Sequence, residues 1–214
     1  MASPAKFRQL SLNTAAAKNP LSVSREQVRE LIDAKKVTIR TDPEYVEKIF
    51  ADMLIYFKAA SWNQAFNAGI EAVAAVENLD DAEEGVHACT LHNLASALHH
   101  LEHRDAARAF YEESIAELAQ SQTPLLMKCF CMDHRDRMLV YMQSRVALLA
   151  TGAKPKANTY WSSEGGELEW PVEEIEDAKM RARELAVTSQ NATLTLESLG
   201  KSYPVGSTPR NALW

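Results

Sequence analysis

Residues Ala88–Ile115 read ACTLHNLASALHHLEHRDAARAFYEESI, and the parsing of this stretch decides the fold. Leu91, Leu94, Ala95 and Leu98 recur at helical spacing, which marks one apolar face of a helix. Ala106, Ala107, Phe110, Tyr111 and Ile115 mark a second helix. The small residues Ala95 and Ala107 would let the two helices approach closely, while the large residues fill the space between successive pairs.

Moving back 42 residues places Ala65 on Ala107 and Tyr56 on Leu98, with the same nine-residue separation. Ile49 and Met53 then also fall on core positions. Asp42 before Pro43 is a start signal, because the carboxylate accepts orphan amide hydrogens and the proline preorganises the first turn. Val46, Ile49, Phe50, Met53, Leu54 and Phe57 follow at helical spacing, Ser61 interrupts them, and Trp62, Ala65, Phe66, Ile70 and Val73 continue in a second helix. Two positions depart from the later unit: Asp52 stands where a leucine is expected and Gly69 where an aromatic is expected.

Residues 42–77 and 84–119 therefore read as two copies of one helical pair. The order of Leu91, Leu94, Ala95 and Leu98 followed by Ala107 and Tyr111 is similar to the tetratricopeptide pattern. The long spacing and the phrase T-L-x-N-L-A resemble the repeats of the kinesin light chain family. No coiled-coil heptads precede them, so the resemblance concerns the repeat and not the whole protein. It implies an all-α fold of antiparallel helix pairs in a short superhelix, with extra helices, extended termini and a concave surface that holds a peptide or a partner's helix.

Outside residues 42–121 the chain divides by composition. Residues 1–22 form an extended basic arm, and 23–40 a short helix capped by Ser24 with Gln27 in the capping-box position and Val28, Leu31 and Ile32 on one face. Residues 122–151, with Leu126, Phe130, Met138, Tyr141, Val146 and Leu149 in helical rhythm, form a degenerate helical extension. Residues 152–170 read as a loop, 171–200 as a helical cap carrying Val172, Ile175, Ala178, Ala182 and Leu185 on one face, and 201–214 as a tail ending in Trp214. Leu168, Glu169 and Trp170 resemble the acidic tryptophan motif that kinesin light chains bind in cargo, with Pro171 departing from it.

The composition is that of an ordinary globular chain at 46% hydrophobic and 24% charged. No apolar run approaches the roughly 20 residues that cross a bilayer, and no signal-peptide core is present, so no membrane partner is expected. Three cysteines, Cys89, Cys129 and Cys131, lack a disulfide spacing and suit a reducing compartment. The net charge of −6 divides into +5 over residues 1–40 and −11 over the remainder. An acidic body excludes a nucleic-acid groove, whereas the basic arm suits either a solvated tail or an acidic partner such as a microtubule. Its lack of acids over residues 1–25 is also the composition of a mitochondrial presequence. The expected location is the cytoplasm, with the cilium, cytoskeleton or mitochondrion as alternatives.

His99, Glu102 and His103 match the H-x-x-E-H signature of inverzincins, in which two histidines bind zinc and the glutamate serves the attacking water. Zinc needs its donors about 2 Å away from one point, on a continuous helical turn. The repeat instead ends a helix at His99 and places Glu102 and His103 in the turn. Cys129, Cys131, Asp133 and His134 offer a second metal constellation, but Cys129 and Cys131 fall on different helical faces. No nucleophile elbow, phosphate loop or dinucleotide fingerprint is present. The expected function is a non-enzymatic adaptor or scaffold, with no cofactor, no metal and no catalytic residue. A structural subunit of a microtubule-based or mitochondrial assembly and a metal-dependent hydrolase are the alternatives.

The first helix of each pair supplies the groove. Its expected partner-binding residues are Glu47, Phe50, Leu54 and Phe57 from the first unit and Cys89, His92, Asn93, Ser96 and His99 from the second. A partner helix would lay apolar anchors on the aromatic wall and hydrogen-bond to the polar one, unless the chain's own flanks cover that wall. Phe50 and Leu54 stand where the tetratricopeptide domains that clamp a carboxylate tail use Lys and Asn, which disfavours such a ligand.

Overall fold

The computed structural model describes residues 22–40, 42–79, 85–120, 135–162 and 166–201, with the backbone alone described at 43, 135, 137, 161, 162 and 166 and over 189–201. Among them run seven helices: α1 (Arg25–Lys36), α2 (Pro43–Lys58), α3 (Trp62–Glu77), α4 (Val86–His100), α5 (Arg104–Gln120), α6 (Arg135–Thr151) and α7 (Val172–Lys201). The starts follow local chemistry. The Ser24 hydroxyl accepts from Gln27 N and the Gln27 side chain accepts from Ser24 N, closing a capping box. The Asp42 carboxylate accepts from Tyr45 N at 2.9 Å with Pro43 behind it.

The helices α2 to α6 pack in sequence, each against the next. The two turns inside the pairs are the same turn 42 residues apart. Ser61 N donates to Tyr56 O at 2.8 Å, and His103 N to Leu98 O at 3.0 Å. Ala60 N donates to Phe57 O and Glu102 N to His99 O, both at 3.1 Å. Ala60 and Glu102 take φ of 53° and 68°, so each first helix ends in a Schellman motif with a left-handed residue. Ala65 and Ala107 are wholly buried behind these turns.

The two departures at Asp52 and Gly69 have physical causes. A Cβ on Gly69 would lie 3.1 Å from Leu94 Cδ1 and 3.3 Å from Leu94 Cα. An aromatic residue there would push α3 off α4, whereas its counterpart Tyr111 is fully enclosed. Asp52 faces the start of the array, pairs with Lys48 at 2.6 Å and lines a cleft of about 300 Å³ with Ile49, Tyr56 and Ala186.

Helix α7 packs antiparallel on α2. Lys58 meets Glu174 at 2.5 Å at one end, and Ala186 reaches the Ile49 and Asp52 cleft at the other. Ala178 and Ala182 are buried in this contact. Across the second helices lies α1, with Val28 and Ile32 wholly buried against Ala65, Phe66, Ala107 and Phe110. Each such large apolar side chain contributes about 1.5–3 kcal/mol.

Charge orders the same contact. Arg25 reaches Glu113 at 2.8 Å, Lys35 reaches Glu71 at 2.5 Å, and Arg29 bridges Glu77 and Glu113. Glu71 and Glu113 stand 42 residues apart, so α1 reads the same acid on both units. Much of the basic excess of residues 1–40 thus neutralises the acidic body of this chain. Residues 1–21 lie outside the described segments.

The segment expected to be a loop contains an antiparallel hairpin of β1 (Thr159–Ser162) and β2 (Gly166–Glu169), with Tyr160 opposite Leu168. Strands of four residues are too short for periodicity to reveal. Among the described residues no helix is long and apolar enough to cross a membrane.

Candidate functional site

The first helices α2 and α4 carry the expected groove, and its two walls differ. On α2, Glu47 is exposed while Phe50, Leu54 and Phe57 are half-buried. Phe50 and Phe57 rest on a core of Val46, Ile49, Met53, Ala72 and Val76. The Phe57 ring meets the edge of Trp62 at 5.7 Å. This wall keeps an accessible apolar face.

The wall on α4 is closed, which corrects the expectation of an open polar groove. Cys89, His92, Asn93, Ser96 and His99 are between 1% and 8% exposed. Cys89 Sγ donates to Met138 Sδ at 3.3 Å. The His92 ring lies 5.2 Å from Tyr111 and 5.1 Å from Tyr141. His99 Nε2 donates to Ala153 O at 3.0 Å, which fixes the proton on that nitrogen. Helix α6 and the chain beyond it therefore occupy the space that a partner would fill.

Arg145 on α6 is the centre of this closure. It is 6% exposed, and its Nη2 donates to Tyr141 OH at 2.9 Å and to Glu167 Oε1 on the hairpin at 2.7 Å. Thr159 Oγ1 donates to the same carboxylate oxygen at 2.8 Å. Arg104 Nη2 holds Gly152 O at 2.6 Å. Trp170 stacks on Tyr160 at 4.1 Å, with Lys58 Nζ also 4.1 Å from its ring centre. Residues 152–162 and 166–174 thus form a strap that meets the end of α4 through Ala153 and the end of α2 through Trp170 and Glu174. The Leu168–Trp170 segment is part of that strap, so Trp170 is engaged by Lys58 of its own chain.

Beneath the strap, His92 Nδ1, Asn93 Nδ2, His99 Nδ1 and Arg145 Nε have no hydrogen-bond partner among the described residues. Burial, and secondarily Arg145, pushes the His92 imidazole down to about 3. Burial likewise lowers His99 and raises the phenols of Tyr111 and Tyr141. Burial opposes the charge of Arg145, but Tyr141, Tyr111 and Glu167 together raise its pKa. The result is a neutral, protonated interior around one paired guanidinium. Its neutral imidazoles and protonated phenols are suited to hydrogen bonding and stacking.

The H-x-x-E-H residues diverge. His99 points to Ala153, Glu102 pairs with Lys154 outside the helix end, and His103 Nδ1 accepts from Val23 N at 3.4 Å. Among the described residues no three His, Cys, Asp or Glu side chains are placed to hold a metal ion. Cys129, Cys131, Asp133 and His134 lie outside the described residues.

Arg145 carries a sequence signal of its own. Met138, Met142, Arg145 and Leu149 share one helical stripe, and an arginine on an otherwise apolar stripe signals a buried charge pair. Glu167 carried no such signal, because its partner is set by how the hairpin docks. Comparison with models of known protein families, with curated proteins and with solved structures finds no match.

Proposed function

We propose that the chain is a non-enzymatic scaffold of the tetratricopeptide type that receives an apolar peptide or helix on the α2 wall. The observation that carries this reading is the reuse of one turn at Ala60 and Glu102 behind the buried Ala65 and Ala107. Such stacked pairs present their first helices along a binding face. Phe50 and Leu54 are the anchors, with Glu47 at the rim to select a basic neighbour on the partner. The α4 wall, already filled by α6 and the strap, supports the array.

That closure favours one second reading, a structural subunit that joins its assembly through the terminal segments. Affinity capture from lysate separates the two when the intact chain is compared with a Phe50→Ala and Leu54→Ala variant and with a chain lacking residues 1–21. All must first show the same helicity. A partner lost only with the wall variant supports the scaffold reading. A partner lost only with the truncated chain overturns it in favour of the structural subunit.

A further inference from the structure

Helix α7 has a second face. Ala178 and Ala182 are buried on α2, while Val172, Met180 and Val187 are 69%, 56% and 56% exposed. At about 100° per residue, Val172, Glu176, Met180, Arg183 and Val187 fall within an arc of roughly 80°. They form an outward stripe of three apolar side chains separated by one acid and one base. Glu176 and Arg183 are both exposed; Glu176 bonds Lys179 at 2.7 Å, and Arg183 has no ion pair among the described residues.

We infer that this stripe is the contact of a two-fold homodimer, with α7 packed antiparallel on α7 of a second copy. An axis passing between Lys179 and Met180 places Val172 on Val187 of the second copy and Glu176 on Arg183 of the second copy. Symmetry repeats both pairs and brings the two Met180 side chains together at the centre. The charge distribution selects this orientation and this occupant. On the stripe the acid Glu176 precedes the base Arg183, and of the acids of this segment only Glu184 follows Lys179, Arg181 and Arg183. An antiparallel copy lays acids on bases, whereas a parallel copy lays like on like. The stripe lies on the face turned away from α2, so the dimer leaves the α2 wall and the strap in place.

The test is the mass of the full chain in solution between about 1 and about 100 µM, which spans the range of modest helix-pair affinities. The expected mass rises from 23.8 kDa toward twice that value. Glu176→Arg and Arg183→Glu are each expected to weaken the dissociation constant by about tenfold or more, because each places like charges together twice. The double swap is expected to return it to within about threefold of the original, and Met180→Asp to abolish the rise. All three positions are exposed, so helicity should not change in any variant. A chain that stays at 23.8 kDa throughout overturns the inference. So does a dimer that ignores the single swaps, or a double swap that fails to restore it.

Discussion

The first and second helical pairs share a turn but not an environment. Ala60 and Glu102 close their helices with the same hydrogen bonds, and Ala65 and Ala107 pack equally behind them. Yet Phe50 is half-buried where its counterpart His92 is 4% exposed, and Phe57 is half-buried where His99 is 1% exposed. The apolar members of the repeat face are half-buried, and the polar members are enclosed. A groove position is therefore defined by what later segments lay over it, and its own polarity does not reveal which case holds.

The sharpest way to break this comparison is to truncate matched core positions. Leu98 is wholly buried while its counterpart Tyr56 is half-buried. Leu98→Ala is expected to lose about 3 kcal/mol and Tyr56→Ala about 1–2 kcal/mol in denaturant unfolding. Equal losses would mean that the two pairs are enclosed to the same degree.

The next effect is acid sensitivity, which belongs to the second pair. Burial, and secondarily Arg145, pushes both His92 and His100 down to about 3; their counterparts are Phe50 and Lys58. A folded value below the unfolded one means that the contribution is intact above about pH 6.5 and is lost as pH falls toward 3. Melting should therefore drop between pH 7 and 5, by ~1–2 kcal/mol per group. His92→Phe, which restores the residue of the first pair, should remove the His92 share of that limb and leave the His100 share.

His87 behaves oppositely. Burial alone would lower it, but its hydrogen bonds to Glu117 at 2.7 Å and Glu77 at 3.1 Å prevail and raise it to about 9. Its contribution is complete below about pH 6.5 and fades as pH rises through 9. His87→Gln should remove this alkaline limb alone.

The smallest effect tests the shared turn itself. Ala60→Gly and Glu102→Gly should each stabilise by about 0.5–1 kcal/mol, because glycine adopts a positive φ without a Cβ clash. The exposed pair of Glu102 with Lys154 subtracts little. Opposite signs at the two sites would show that the turns are not equivalent.

By itself the sequence determined the helical class, the caps of α1 and α2 and the 42-residue spacing of the two turns, because these depend on neighbours a few residues away. Ser24 with Gln27, Asp42 with Pro43, and the Ala65 and Ala107 spacing carry their own geometry. Only the tertiary structure decided that α7 returns to close the start of the array, that α1 spans Glu71 and Glu113, and that Glu167 inserts against Arg145. Those contacts join residues between 22 and 116 positions apart. Periodicity records which side of a helix is apolar but not which distant segment will cover it, since burial is set by area removed from water and many partners can remove it. The four-residue strands and the polar wall of α4 were hidden for that reason: both are set by contacts of the segment between α6 and α7.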